Sequence, residues 1–472
     1  MGLRITQSML MNWARRDIRS NALELNTYRE QLSTGKRINR PSDDPSSFLR
    51  ILPLQNDIAN VRRFIDNAEI ADETFTTASA SLEEVSSLMA EAKRLAVQGA
   101  NGTLSASDRS NLGAAVDQIL RQIVGIANSK LGDRYLFSGT AASRQPFELI
   151  EDDGLAFVRY FGTDNEVTIE VAPGTETVLT SSGRRVFLAG GRGETRYLGG
   201  SGVAAGTGTD SGTGRGRLHL EHTAFTGLPV GIAPGAGGSQ ELGQLNYMTT
   251  AGPPQTISIN GGPISEFDNT STNLEIETGD GRRVFLDMSA WTPATISGSF
   301  RSEGRMSWDD GRTWTNIDFN STNQQLVHAV TGEVVNIDST GIVGTGLTEI
   351  RFDGTFDPFN SLIALRDLLR DEDGLGPELV SERLTDLIGD IDNAAEVVLE
   401  SLRDVGARGS QMDLTKTRMN SLEVTLMSSL SREEDVDLAE TILRMTQADT
   451  SYQASLQVGS RVIQRTLLDY LR

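Results

Sequence analysis

Apolar residues recur at seven-residue intervals along two long stretches of the chain. In the first, Leu54, Val61, Ala68, Phe75, Leu82, Met89 and Ala96 form one row. Phe64, Ala71, Ala78, Val85 and Ala92 form a second row three positions on. In the other stretch the row is Leu384, Ile391, Val398, Val405, Met412, Met419 and Leu426. Such spacing predicts long helices packed along a seam, as in a coiled coil or bundle, and the alanines allow close approach of the axes. Shorter stripes flank them. Met11, Ile18, Leu25 and Leu32 lie near the start, and Leu112, Val116, Ile119, Ile123 and Ile126 follow an N-cap at Ser105 or Ser107. Near the end, Leu438, Ile442, Met445, Tyr452, Leu456, Ile463 and Tyr470 keep a helical stripe that Asp449 and Gly459 interrupt. Pro53 is expected to kink the first long helix or to set its start. Between the helical ends, alternating runs punctuated by Asp153-Gly154, Asp280-Gly281 and Asp310-Gly311 read as short strands joined by turns.

The pattern predicts an α+β multidomain protein. Its terminal assembly helices are residues 1–45 plus 431–472. A discontinuous helical rod takes 46–140 plus 360–430, and a β-rich outer domain is inserted at 141–359. The hexapeptide Gly-Arg-Arg-Val-Phe-Leu occurs at 183–188 and again at 281–286, which points to a strand repeat and two related β units. A helix of about 50 residues is about 75 Å long, so it must be covered by other helices of the chain. Both termini are therefore expected at one end of an elongated molecule, with the β-rich block at the other. The terminal stripes would be only part-covered, which makes Met11, Ile18, Leu25, Leu32, Leu438, Ile442, Met445, Tyr452, Leu456 and Ile463 the expected assembly interface. Short isolated helices are marginal in water, so the outermost ones are expected to be largely disordered in a free monomer. Between the first helix and the rod, Gly35 is placed to end one helix. Asp44 is placed to cap the next, with Pro45 at its first position.

Composition narrows the function. The 472 residues, 51.0 kDa, carry 64 acids against 43 bases, a formal charge of −21 that disfavours nucleic acid and anionic membrane surfaces. Charge divides as the patterning does: residues 141–359 hold 14 Arg, no Lys and 27 acids, whereas residues 1–45 hold 8 bases and 5 acids. Without a single cysteine there is no disulfide, thiol nucleophile or thiolate metal site, and three histidines leave little for histidine-centred catalysis. No run reads as a membrane span. At the N-terminus Trp13, Arg15 and Arg16 stand where an export signal would be apolar. Met1-Gly2 with Thr6 fits the loose acylation pattern, which is common by chance.

Candidate chemistry is sparse. Ser307-Trp308-Asp309-Asp310-Gly311-Arg312-Thr313-Trp314 matches the Asp-box, a hairpin-turn motif whose Asp and Ser bond the turn backbone while a Trp packs beneath. His219 and His222 invite a zinc reading only on a helix, and their surroundings read as strand or loop. Gly35-Lys36 lacks the phosphate-loop pattern, since Glu30 holds the earlier glycine position and Arg37 the Ser/Thr position. The Gly-rich tract 189–216 reads as turns or a mobile loop. Asp152-Asp153 and Asp309-Asp310 read as solvated turns and not as a calcium loop. The expectation is no enzyme, no cofactor and no metal.

Several motifs agree in order with one family. The segment QLSTGKRINRPSDDP (Gln31–Pro45) and LAVQGANGTLSASDR (Leu95–Arg109) resemble the N-terminal conserved region of the flagellin superfamily. Within it, RYLFSGT (Arg134–Thr140) and the C-terminal Glu434–Leu471 are similar to the branch of hook–filament junction proteins. The resemblance covers the helical ends, roughly half the chain. It implies a structural protein exported unfolded through the flagellar type III apparatus and located outside the cell. Its partners would be further copies of itself, a neighbouring hook-associated protein, flagellin and an export chaperone. It also implies that LAVQGANGT (Leu95–Thr103) overlaps a region read by a mammalian innate receptor. Lys93 and Arg94 stand where flagellins show Arg and Glu, and the reversed charge at Arg94 is expected to weaken that recognition. The alternatives are a filament flagellin and a secreted glycan-binding protein that uses the middle domain.

Overall fold

The computed structural model describes residues 7–152, 155–188, 191–243, 245–292, 297–371 and 374–470. The chain divides into two compact units, one of Met1–Phe75, Thr168–Thr177 and Ala407–Arg472, the other of Thr76–Val167 and Val178–Gly406. Seven helices are described: α1 (Gln7–Thr34), α2 (Pro45–Gly99), α3 (Ala106–Ala127), α4 (Gly183–Phe187), α5 (Pro358–Arg370), α6 (Pro377–Glu434) and α7 (Leu438–Tyr470).

Local chemistry sets the helix ends. Gly35, at φ +71°, closes α1. The Asp44 carboxylate accepts the backbone N–H groups of Ser46 and Ser47, both at 3.1 Å, and both hydroxyls. Those donors, the Ser47 hydroxyl foremost, hold its carboxyl well below the ordinary range. Helix α2 therefore starts at Pro45, and Pro53 lies inside it, exposed. Ser105 caps α3 by accepting the Asp108 N–H at 3.1 Å.

The seven-residue rows become the helical core in both units. In the first, Val61, Phe64 and Met419 are buried together, with Leu426 against them, and Arg62 pairs with Glu423 at 2.7 Å beside the seam. In the second, Ala78, Leu82, Val85, Met89, Ala92 and Ala96 of α2 are buried, as are Leu384, Ile391, Val398 and Val405 of α6. Small residues mark close approach. A Cβ on Gly99 would lie 2.3 Å from Leu369, and one on Gly113 would lie 3.2 Å from the Arg366 carbonyl where α3 packs on α5.

The strands fill the second unit apart from one hairpin. Three hairpins pair β1 (Lys130–Leu131) with β2 (Arg134–Tyr135), β3 (Phe147–Asp152) with β4 (Leu155–Tyr160), and β5 (Val167–Ala172) with β6 (Thr175–Thr180). In the first unit, Asn67 of α2 donates to the Glu170 carbonyl of β5 at 2.7 Å. Then come β7 (Thr195–Leu198), β8 (Ala204–Ala205), β9 (Arg215–Thr226), β10 (Ala233–Pro234), β11 (Leu245–Ala251), β12 (Thr256–Ile259) and β13 (Ser265–Glu266). The series ends with β14 (Leu274–Glu277), β15 (Arg283–Asp287), β16 (Ser297–Ser307), β17 (Thr315–Asn316), β18 (Gln324–Val327), β19 (Val334–Asp338) and β20 (Gly346–Phe352). One sheet runs β13-β12-β11-β16-β9-β20-β7, with β17 on β16. The smaller sheets are β18-β19-β8 and β14-β15-β10.

This topology contains one arrangement twice, the second copy nested in the connection between β9 and β16. The antiparallel pairs β8–β19, β18–β19, β16–β17, β9–β16 and β9–β20 of the outer copy recur as β10–β15, β14–β15, β12–β13, β11–β12 and β11–β16. Side chains follow suit. Asn323 accepts the Gly208 N–H and Asn273 accepts the Gly237 N–H, each at 2.8 Å. Gly202 and Gly231 both take a left-handed φ, +85° and +87°. The segments behind this are Gly202-Val203-Ala204-Ala205-Gly206-Thr207-Gly208 and Gly231-Ile232-Ala233-Pro234-Gly235-Ala236-Gly237. Each copy closes its own apolar core, around Leu218, Leu220, Ile337 and Ile350 in one and Met248, Ile259, Leu286 and Phe300 in the other. Leu242 of the nested copy is shared with the outer core.

The repeated hexapeptide does not carry this duplication. Residues 183–187 form helix α4, and only 283–286 lie in a strand. Tertiary surroundings decide between the two: Gly183 is wedged so that a Cβ would meet the Phe137 carbonyl at 2.6 Å, and Val186 and Phe187 are buried.

Ionic contacts tie the outer copy to helices of its own unit. Arg351 meets Asp390 at 2.6 Å, and Glu349 meets Arg215 at 2.6 Å and Arg383 at 3.3 Å. Asp357 caps α5 from a buried position, accepting the Phe359 and Asn360 N–H groups at 2.9 Å, and burial pushes its carboxyl up from 3.8 to about 7.

Two predictions follow from these placements. Because the two asparagines make the same bond, Asn273→Ala and Asn323→Ala should each cost about 1 kcal/mol in urea melts, and the double change should be additive. Asp357 has a raised folded-state pKa, so its contribution is fully present below pH 3.8 and is lost as pH rises through about 7. Asn also caps helices well, so Asp357→Asn should gain on the parent between pH 4 and 7, by up to about 4 kcal/mol. A constant difference across that range would contradict the assignment.

Candidate assembly surface

The first unit brings the two ends of the chain together. Helices α1 and α7 pack side by side, with the Asn21 amide donating to the Ser451 carbonyl and the Ser455 hydroxyl, both at 3.3 Å. At the joint after α1 the strands of chain clip to each other. Arg37 N–H donates to the Glu434 carbonyl at 2.7 Å and Val436 N–H to the Gly35 carbonyl at 3.0 Å. Lys36 pairs with Glu434 at 2.6 Å and Arg50 with Glu433 at 2.9 Å. The joint residues thus act as a clasp, with Gly35-Lys36 engaged in backbone pairing.

Sequence spacing explains the α1 side of this packing. Leu25 is buried, and Met11, Ile18 and Leu32 are half-buried on the same stripe. The α7 side is different. Among its described side chains the buried positions are Thr441, Ala448 and Gly459, with Met445, Tyr452 and Ser455 half-buried between them. A Cβ on Gly459 would lie 2.9 Å from the Ile18 side chain. Gly459, which interrupts the apolar stripe, is where α1 approaches, and α7 runs unbroken through both Asp449 and Gly459. Among the described residues the fully buried positions of this half of the seam are small, which brings the helix axes close.

Among the described side chains of α7, five large apolar ones therefore remain in water. Leu438, Ile442 and Leu456 are exposed, as are Leu443 and Val458, which the sequence stripe missed. The side chain of Ile463 lies outside the described residues. Helix α1 adds exposed Met9, Leu10, Trp13 and Leu23, and α6 adds Leu414, Leu422, Val424 and Met427. Among the described residues, sixteen of the twenty-three exposed large apolar side chains fall in this unit, although it holds about a third of the chain. Exposed apolar surface concentrated in this way marks an interaction site. The terminal helices are helical and paired over these spans, each covering one stripe of the other.

The other sequence candidates lie in the second unit. The Asp-box forms its turn: Asp309 accepts the Thr313 N–H at 2.8 Å, and Ser307 accepts the Gly311 N–H at 2.9 Å. Trp308 is buried, while Trp314 packs on Gly311 under Arg305. Asp310 is occupied by Arg217 and His219, and Asp152 by Arg312; Asp153 lies outside the described residues. His219 and His222 sit on β9, where His222 packs against the Phe225 ring, so they share no ligand position. Among the described residues no group of three or more His, Asp or Glu is placed to hold a metal ion. Among them, too, no helix is long and apolar enough to cross a membrane. Exposed Arg94 pairs with Glu91 on its own helix. Met1-Gly2 lies outside the described residues.

The helical ends match two family models. Residues 5–142 match the bacterial flagellin N-terminal helical region, and residues 388–471 match the bacterial flagellin C-terminal helical region. The chain belongs to the flagellin superfamily. It is 31% identical to flagellar hook-associated protein 3 of Salmonella typhimurium over 192 residues and 27% identical to that of Escherichia coli over 186. Each match covers 39% of this chain and 57% of the relative, so the chain spans somewhat over half the length of these relatives. A crystal structure of Xanthomonas campestris FlgL aligns over 80% of this chain and 99% of its own, at 21% identity and a TM-score of 0.43.

The small seam generates a graded prediction. Gly459→Ala meets only the movable end of Ile18 and improves helix propensity, so it should be neutral or stabilising by up to about 1 kcal/mol. Gly459→Val overfills the contact and should cost about 1–3 kcal/mol, read as faster amide exchange in Gln7–Thr34. Equal exchange in the two variants would contradict the seam.

Proposed function

We propose that the protein is a structural subunit of the bacterial flagellum that joins hook to filament. It does so through helix–helix contacts with further copies of itself, a neighbouring hook-associated protein and flagellin. The observation that carries this reading is the paired α1 and α7, whose mutual seam leaves Leu438, Ile442, Leu443 and Leu456 uncovered. Burying such side chains is worth about 1.5–3 kcal/mol apiece, enough in sum to drive assembly once copies are concentrated. The resemblance to hook-associated protein 3 supports the place of action, and export through the flagellar type III apparatus with a chaperone belongs to the same reading. The chemistry is packing, with no catalytic step and no cofactor.

Two experiments test it. Removing residues 1–40 or 435–472 should leave the β-rich block folded and abolish incorporation into flagella; restored swimming with both truncations would overturn the reading. Separately, Leu438→Asp with Leu456→Asp alters side chains already in water, so monomer stability should stay within about 0.5 kcal/mol while incorporation is lost. Labelled protein should mark the filament base; label along the whole filament would indicate a flagellin instead.

A further inference from the structure

The duplicated β arrangement allows one face to be compared in two settings. In the outer copy, Arg351 pairs across from Arg215 and Glu349 across from Arg217 on β20 and β9. In the nested copy the same places on β16 and β11 are held by Arg301 across from Leu245 and Ser299 across from Tyr247. These side chains point away from the cores, since the alternate residues Leu218, Ile350, Met248 and Phe300 are buried. Along β16, Arg301 and Glu303 alternate with buried Phe300, Ser302 and Gly304, so one sheet face continues from the outer copy into the nested one.

The chain itself uses the outer copy's corner to hold a helix. Arg351 reaches Asp390 and Glu349 reaches Arg383, both on α6. In the nested copy the equivalent corner holds no helix among the described residues. Tyr247 is 63% exposed, Leu245 is 42% exposed, and exposed Arg301 has no ion pair among the described residues. Its composition has also changed, from four charged groups to a Tyr, a Leu, a Ser and the retained Arg. Tyr and Arg are the residues that most often anchor interfaces between separate molecules.

We propose that this corner, Leu245, Tyr247, Ser299 and Arg301, docks on a helix of a second copy of this chain. The sister corner shows that the geometry suits a helix bearing a carboxylate, with Arg301 in the role that Arg351 plays toward Asp390. The local match is between unpaired Arg301 and a carboxylate on a facing helix, the pairing that Arg351 makes with Asp390, and in the assembly reading the neighbouring helices belong to further copies. The inference rests on the assembly reading, in which copies lie side by side.

Photocrosslinking in assembled flagella tests it, with benzoylphenylalanine replacing Tyr247 and, as a control, Trp13 of α1. The Tyr247 position should give a product of twice the 51.0 kDa chain mass whose crosslink maps to a helix, and Arg301→Glu should lower its yield about tenfold without changing the control. A crosslinked control with no product from position 247, or a product with a different protein, would overturn the docking surface and leave the assembly reading intact. Failure of the labelled chain to enter flagella at all would overturn both.

Discussion

The structure depends on how narrowly the first and last helices touch. Thr441, Ala448 and Gly459 let α1 sit close against α7, and Leu25 is buried in return. A seam of small residues consumes little apolar surface. Other large side chains of both helices, among them Trp13, Leu23, Leu438 and Ile442, are pushed to the flanks, where nothing among the described residues covers them. A wide leucine interface between the same helices would have made a self-sufficient hairpin. The clasp at Gly35–Arg37 and Glu434–Val436 fixes the register in which this happens, through backbone pairing and the Lys36–Glu434 and Arg50–Glu433 ion pairs.

Much of this was legible in the sequence where a period was strong. The rows through Val61, Phe64 and Met419, and through Leu82, Met89, Ile391 and Val398, are buried as their spacing requires. Asp44-Pro45 and Ser105 start helices because their side chains satisfy orphan N–H groups. On α7 the apolar stripe took in Met445 and Tyr452 of the packing face together with exposed Leu438, Ile442 and Leu456, and it missed Thr441, Ala448, Ser455 and Gly459, which have no hydrophobic period to detect. The flanks carried by Leu443, Val458 and Trp13 escaped for a related reason: they form second stripes at angles that one heptad row does not mark.

The β-rich block shows the opposite failure. A six-residue identity drew attention to Gly183–Leu188 and Gly281–Leu286, which take different secondary structures. The true repeat lies in residues with fixed structural duties. Gly202 and Gly231 supply left-handed turns, Asn323 and Asn273 each hold a glycine N–H, and Asp310-Gly311 and Asn260-Gly261 turn equivalent hairpins at positive φ. Nesting hides the relation further, because the second copy interrupts the first and shares β16 with it. Identity of short strings is a poorer guide here than identity of backbone tasks.

The exposed flanks exist only because α1 and α7 of one molecule are partners. The chain contains no cysteine, so Asn21→Cys with Ser455→Cys creates a single possible bridge at a contact of 3.3 Å. Mild oxidation of dilute monomer should give a fast-migrating, intramolecularly bridged chain in high yield. Thiols that stay reduced, or that couple only between molecules, would show that the ends of the chain do not pair and that the exposed flanks have been misassigned.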